Sequence, residues 1–154
     1  MHALRGRLQA RCASGKNRNG HSRMKNGFTI SAVIPANASD IYSAWLSSES
    51  HAAMTGNPAH VDGKVGGKFK AWDGYIFGST LELEPDQRIV QAWRTSEFPD
   101  NAPDSRLEIL LEKVTEGTKV TLIHNDMPED QIDSYRQGWE DFCFKPMKEY
   151  FSKQ

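Results

Sequence analysis

Residues 128–150 read PEDQIDSYRQGWEDFCFKPMKEY, and in this stretch the spacing of apolar side chains changes from two to about 3.6. Pro128, Glu129 and Asp130 are residue types that the first turn of a helix favours, and Ile132, Tyr135, Trp139, Phe142, Pro146 and Tyr150 follow at steps of three and four. That spacing lays one apolar stripe along roughly five turns. Pro146 has no N–H to offer the Phe142 carbonyl, so the helix is expected to kink or break near its end. A long C-terminal helix with one apolar face needs an apolar surface to lie against.

That surface is written in residues 69–127, where period two dominates. Phe69-Lys70-Ala71-Trp72 runs into Asp73-Gly74, a dipeptide suited to a tight hairpin turn, and continues as Tyr75-Ile76-Phe77. Leu81 and Leu83 alternate with Glu82 and Glu84 up to a turn at Pro85-Asp86; Ile89, Gln91 and Trp93 share a face of the next run. After a Pro- and Asp-rich loop from Phe98 to Asp104, Leu107, Ile109 and Leu111 alternate with Glu108 and Glu112, and Val120, Leu122 and His124 alternate with Thr121 and Ile123. Regular turn signals between short strands predict one meandering antiparallel sheet whose Glu-bearing side is wet. Farther out, Phe28, Ile30, Ala32 and Ile34 alternate with Thr29, Ser31 and Val33 in a strand ended by Pro35. Asn37 and Asp40 then cap a helix carrying Ile41, Ala44 and Trp45, and a second short helix over 49–54 is broken by Gly56, Asn57 and Pro58. The predicted class is α+β: a curved antiparallel sheet wrapped around a long C-terminal helix, with two short helices closing one end.

The charge of the 154 residues divides unevenly. Arg5, Arg7, Arg11, Lys16, Arg18 and Arg23 give residues 1–23 a charge of +6 with no acid, so the rest holds 19 − 6 = 13 basic groups against 20 acidic ones, or −7. Residues 1–25 form a basic leader too poor in large apolar side chains to offset the entropy of ordering, and disorder is expected there. Three origins stay open: an early start or leftover expression sequence, with Met24 heading the working protein; an organellar address; or an electrostatic arm. Residues 26–154 are expected to form one domain. No run approaches the roughly 18 apolar residues that cross a bilayer, and two cysteines cannot staple a small secreted scaffold. A cytoplasmic monomer that does not insert into membranes is expected, or an organellar one if the leader is a transit segment.

Catalytic and cofactor signatures are lacking. Gly66-Gly67 before Lys68 is too little for a phosphate loop, no HxxxH or CxxC spacing points to a metal, and no Gly-x-Ser-x-Gly elbow occurs. No cofactor or metal is expected, and the negative body argues against specific nucleic-acid binding. The Asn37-Ala38-Ser39 sequon, without a secretory signal, is read as chance. Cys143 adjoins the buried stripe and reads as an inert core thiol; Cys12 lies in the leader. The candidate site residues are Phe69, Trp72, Trp93, His124, Trp139 and Phe142. The aromatics either line an apolar cavity between sheet and helix or simply fill the core. His124, whose parity turns it inward, is either a polar hook for a ligand or a histidine hydrogen-bonded within the core.

Together, Gly66-Gly67-Lys68-Phe69, Trp72-Asp73-Gly74, Gly78, Leu83-Glu84-Pro85, Ile89-Val90, Trp93-Arg94 and Arg136-Gln137-Gly138-Trp139 closely resemble the C-terminal domain of the activator of the heat-shock protein 90 ATPase. The resemblance runs from about Phe28 to Phe151. It implies a helix-grip fold, similar to START and birch-pollen-allergen domains. In that activator a separate N-terminal domain supplies most contacts that stimulate the chaperone, and the residues before Phe28 are expected to be too few and too polar to form it. Three functions follow as expectations. The first is a non-enzymatic protein binding a small hydrophobic or aromatic ligand among the six residues above. The second is a co-chaperone-like module that offers heat-shock protein 90 an acidic face including Glu82, Glu84, Glu108 and Glu112. The third is a cyclase- or hydrolase-type enzyme, for which His124 is the sole candidate base and Asp126, at the strand's end, its sole carboxylate.

Overall fold

A computed structural model describes residues 27–153; the leader, including Cys12, lies outside them. The elements follow the order β1 (Phe28–Ile34), α1 (Ala38–Trp45), α2 (Ser48–Thr55), β2 (Ala59–Val61), β3 (Lys68–Ala71), β4 (Ile76–Glu84), β5 (Arg88–Thr95), β6 (Ser105–Val114), β7 (Gly117–Asn125), α3 (Ile132–Trp139) and α4 (Lys145–Ser152). All strands join one antiparallel sheet in the order β1-β7-β6-β5-β4-β3-β2. This is the sheet wrapped around a C-terminal helix expected from the two periods, and the helix-grip fold that the family resemblance implies. The sheet's inner face meets the C-terminal helices, with α2 packed on α4 and α1 reaching β6.

Period two places the core. Ile30, Leu122, Ile109, Ile89 and Leu83 form one cross-strand row, and Phe28, His124, Leu107, Gln91 and Thr80 the next. Phe144 and Met147 from the C-terminal helix, and Ile41, Trp45 and Met54 from the short helices, close over them and are almost fully buried. Asn37 caps α1 as expected, its side-chain oxygen accepting the Asp40 N–H at 2.9 Å.

Two details of the sheet depart from the sequence reading. Leu81 is not on the inner face: a β-bulge sets Thr80 opposite Gln91 and Glu82 opposite Val90, so Leu81 is the extra residue and points out, 45% exposed. The Asp73-Gly74 turn is wider than a two-residue hairpin. The last pair is Ala71 with Ile76, and Trp72, Asp73 and Gly74 all take positive φ, at 53°, 56° and 89°. Trp72 therefore leaves the strand, at a backbone cost of roughly 1–2 kcal/mol for a bulky residue in that region.

The long helix is interrupted where Pro146 requires it. A 3₁₀ turn at Glu129–Gln131 leads into α3, residues Glu140–Phe144 form a π-helical stretch, and α4 follows. The Lys145 N–H reaches back to the Glu140 carbonyl. Because Pro146 cannot donate to Phe142, the chain widens by one residue there and the axis continues, which shifts the buried face from the expected Phe142, Pro146 and Tyr150 to Cys143, Met147 and Phe151.

Candidate functional site

Phe69, Gly78 and Trp93 are cross-strand neighbours on the inner face of β3, β4 and β5. A Cβ at Gly78 would collide with the Ala92 carbonyl and the Phe69 ring, so the missing side chain leaves room for that ring against the strand. Opposite them, α3 and the π-helical stretch present Trp139, Phe142 and Cys143, and α1 and α2 contribute Trp45, His51 and Thr55. These residues enclose a cavity of about 40 Å³, counted as space that water centres can occupy. That is room for about three waters, the scale of one aromatic ring. A second chamber of similar size shares Trp72, Trp93, Trp139 and Phe142 and adds Tyr135 and Gly138. Trp72 and Phe142 meet edge to face at 5.2 Å on the wall common to both chambers. Two backbone irregularities thus converge on one contact, the left-handed Trp72 on one side and the π-helical turn on the other.

Five of the six expected residues, Phe69, Trp72, Trp93, Trp139 and Phe142, lie on the cavity wall. His124 does not. It is fully buried behind Trp93 and Trp139, edge-on to the Trp93 ring at 4.5 Å. The indole N–H of Trp139 donates to its Nδ1 at 3.1 Å, which assigns the imidazole hydrogen to Nε2, 2.8 Å from the Ser105 hydroxyl oxygen. Ser105 in turn donates to the Trp93 carbonyl at 2.8 Å. Burial pushes the imidazole pKa down to about 3, so the ring is neutral at ordinary pH. Both nitrogens are occupied, and the ring ties β5, β6 and β7 to α3 rather than acting as a hook for a ligand. Asp126 gives it no help: it sits exposed at φ 65° beyond β7.

The polar groups that do face the cavity are Gln91, His51 and Thr55. Gln91, buried on β5, accepts the Trp45 N–H at 3.4 Å and donates to Thr80 at 3.2 Å. Its signal was a polar residue sharing a strand face with Ile89 and Trp93. His51 accompanies α2, whose sequence carries no strong apolar face, and nothing in the chain singled it out. Trp45 carries the ensemble, its ring stacked on Trp139 at 6.1 Å and edge-on to His51 at 5.1 Å. Cys143, also on the wall, is a neutral thiol whose pKa burial pushes up to about 12; its sulfur is 3.7 Å from that of Met147. Among the described residues no three His, Cys, Asp or Glu side chains are grouped to hold a metal ion, and no helix is long and apolar enough to cross a membrane.

On the outer face the expected acids are partly neutralised. Arg88 contacts Glu108 at 2.6 Å, Glu82 at 2.7 Å and Glu84 at 3.0 Å, and Arg106 approaches Glu108 at 3.4 Å.

Residues 35–152 match the family model described as Activator of Hsp90 ATPase homolog 1-like protein. The chain belongs to this family. The human protein named Activator of 90 kDa heat shock protein ATPase homolog 1 is 26% identical over 123 residues, covering 80% of this chain but 36% of that protein. A Dictyostelium discoideum homologue is 26% identical over 116 residues, covering 73% of this chain and 30% of its own length. The chain therefore spans about a third of the length of these relatives. Among solved structures, one described as an HSP90 activator from Plasmodium falciparum superposes with a TM-score of 0.74 at 24% identity, covering 81% of this chain and 95% of that one. A protein from Micromonospora echinospora, CalU16, gives 0.68 at 24% identity, covering 80% and 74%. At that identity the two structures speak for the shared fold.

Proposed function

We propose that this family member is a non-enzymatic, cytoplasmic, monomeric protein that binds a small hydrophobic or aromatic ligand between its sheet and its C-terminal helix. One observation carries the reading: five aromatic side chains from β3, the β3–β4 turn, β5, α3 and the π-helical stretch converge on one cavity instead of closing it. An apolar wall with a few placed polar groups is the usual composition of a small-molecule site. Catalysis finds no support there, since His124 is neutral, saturated and away from the wall. Titrating a panel of aromatic and aliphatic compounds while following amide shifts and Trp fluorescence tests the reading. Saturable shifts at Trp45, Trp93, Trp139 and Phe142 are expected; no saturable compound, or shifts confined to the outer face, would overturn it.

Family membership favours a second reading, a module that binds Hsp90. The human relative's name joins it to the chaperone's ATPase, although the present chain matches only about a third of that protein. Binding to purified Hsp90, measured at low and at moderate salt, tests it. The Arg88 cluster leaves less net negative charge on the outer face than the acid count implies, so a complex held there should depend weakly on salt. Absence of a complex at low salt would remove this reading.

A further inference from the structure

We infer that the ligand is a neutral, single-ring aromatic molecule that donates a hydrogen bond, such as a phenol or an aromatic N–H compound, and that Nε2 of His51 receives it. This inference rests on the binding function proposed above. Nδ1 of His51 lies 2.9 Å from the Trp45 carbonyl oxygen. A carbonyl only accepts, so Nδ1 carries the hydrogen. Burial lowers the proton affinity of the ring by more than the Trp45 bond raises it, which keeps the ring neutral and leaves Nε2 as a lone pair. No donor to that nitrogen is present among the described residues, and the ring forms part of the cavity wall.

Two neighbouring oxygens add acceptors. Thr55 gives its hydroxyl hydrogen to the His51 carbonyl at 3.1 Å and has only lone pairs left to offer. Gln91 Oε1 holds the Trp45 N–H at a long 3.4 Å and has a second lone pair. Lys70 borders the cavity, but β3 alternates, with Phe69 and Ala71 buried and Lys70 exposed, so its ammonium group projects from the opposite face. A carboxylate entering here would face these lone pairs with no cation opposite, and only neutral N–H groups such as the second Gln91 amide hydrogen would replace its hydration. A hydroxyl or N–H on a ring meets an acceptor, while the ring itself fills room for about three waters between indoles.

Four compounds of matched shape test this with the full chain: p-cresol, p-xylene, 4-methylanisole and 4-methylbenzoate. Followed by amide shifts, p-cresol should bind about five- to tenfold more tightly than p-xylene or 4-methylanisole, the increment of one neutral hydrogen bond, and 4-methylbenzoate should bind most weakly. His51→Phe should bring p-cresol down to the p-xylene affinity without weakening p-xylene. Long-range ¹H–¹⁵N spectra of the unaltered protein give an independent readout that needs no variant to fold: Nε2 of His51 should lack a hydrogen when free and shift on adding p-cresol but not p-xylene. Equal affinities for p-cresol and p-xylene, tightest binding of 4-methylbenzoate, or a hydrogen on Nε2 would each overturn the inference. Saturable p-xylene binding with no preference for p-cresol overturns it while sparing the binding function. If none of the four binds, the inference falls, and the wider titration above decides the binding function separately.

Discussion

His124 is held neutral in the core while its unfolded counterpart is free to take a proton, and this makes stability depend on pH in a calculable way. The folded pKa is about 3 against an ordinary 6.5. Above pH 6.5 both states are neutral and nothing is lost. As pH falls from 6.5 toward 3 the unfolded chain binds a proton that the folded one excludes, so stability drops by about 1.4 kcal/mol per pH unit. At pH 5 the loss is about 2 kcal/mol. His51, also lowered by burial, pulls in the same direction and must be separated from it. His124→Phe does so, because it removes one titration and leaves the other. At pH 7.5 this variant should be less stable by about 2–4 kcal/mol: the Trp139 N–H loses its acceptor, costing about 1–3 kcal/mol, and the bond to Ser105 adds about 1 kcal/mol. Urea unfolding of both proteins between pH 7.5 and 5 should show the gap narrowing by about 2 kcal/mol as pH falls. A gap that stays constant with pH, or a native His124 that titrates near 6.5 by NMR, would refute the reasoning.

Other expectations follow from the same geometry. Phe142→Ala removes the ring between the two chambers, so fused two-ring aromatics should gain affinity over single rings, at a stability cost of about 1–3 kcal/mol for a half-buried phenyl; unchanged size selectivity in a paired titration would speak against the partition. Gly78→Ala drives a methyl group into the Ala92 carbonyl and the Phe69 ring and should lower the urea midpoint by the equivalent of about 1–3 kcal/mol. Cys143 should resist iodoacetamide at pH 7.5 in the native protein and react readily in denaturant, as site-resolved mass spectrometry would show. Arg88→Met should cost about 1 kcal/mol, and 1 M salt should shrink that difference by screening the three carboxylates around the guanidinium.

Much of the fold was legible in one dimension because a period is a property of the local backbone. Alternation placed β1, β6 and β7 and the inward parity of His124 and Gln91, and spacing of three and four placed the helical stripe as far as Trp139; beyond it the extra residue of the π-helical stretch moves the buried face from Phe142, Pro146 and Tyr150 to Cys143, Met147 and Phe151. Pro146 foretold an interruption because its missing N–H acts within one turn. The alternation failed at Leu81, since a bulge is set by how β4 must twist against β5 and leaves no mark on the residue it turns outward. It also failed at Trp72, where three consecutive left-handed residues carry the side chain toward a helix about 70 positions away.

The candidate site divides in the same manner. That aromatics would gather between sheet and helix follows from the two stripes alone, because both apolar faces must be buried against each other. Which polar atom stays available does not. His124 and His51 are the same residue type, and the strand pattern favoured the first, yet Trp139 and Ser105 reach across from other elements and use both its nitrogens. His51 receives one partner, from the end of α1, and keeps a lone pair on the cavity wall. Hydrogen-bond saturation depends on groups distant in sequence brought within about 3 Å, a distance that only the assembled sheet and helices set.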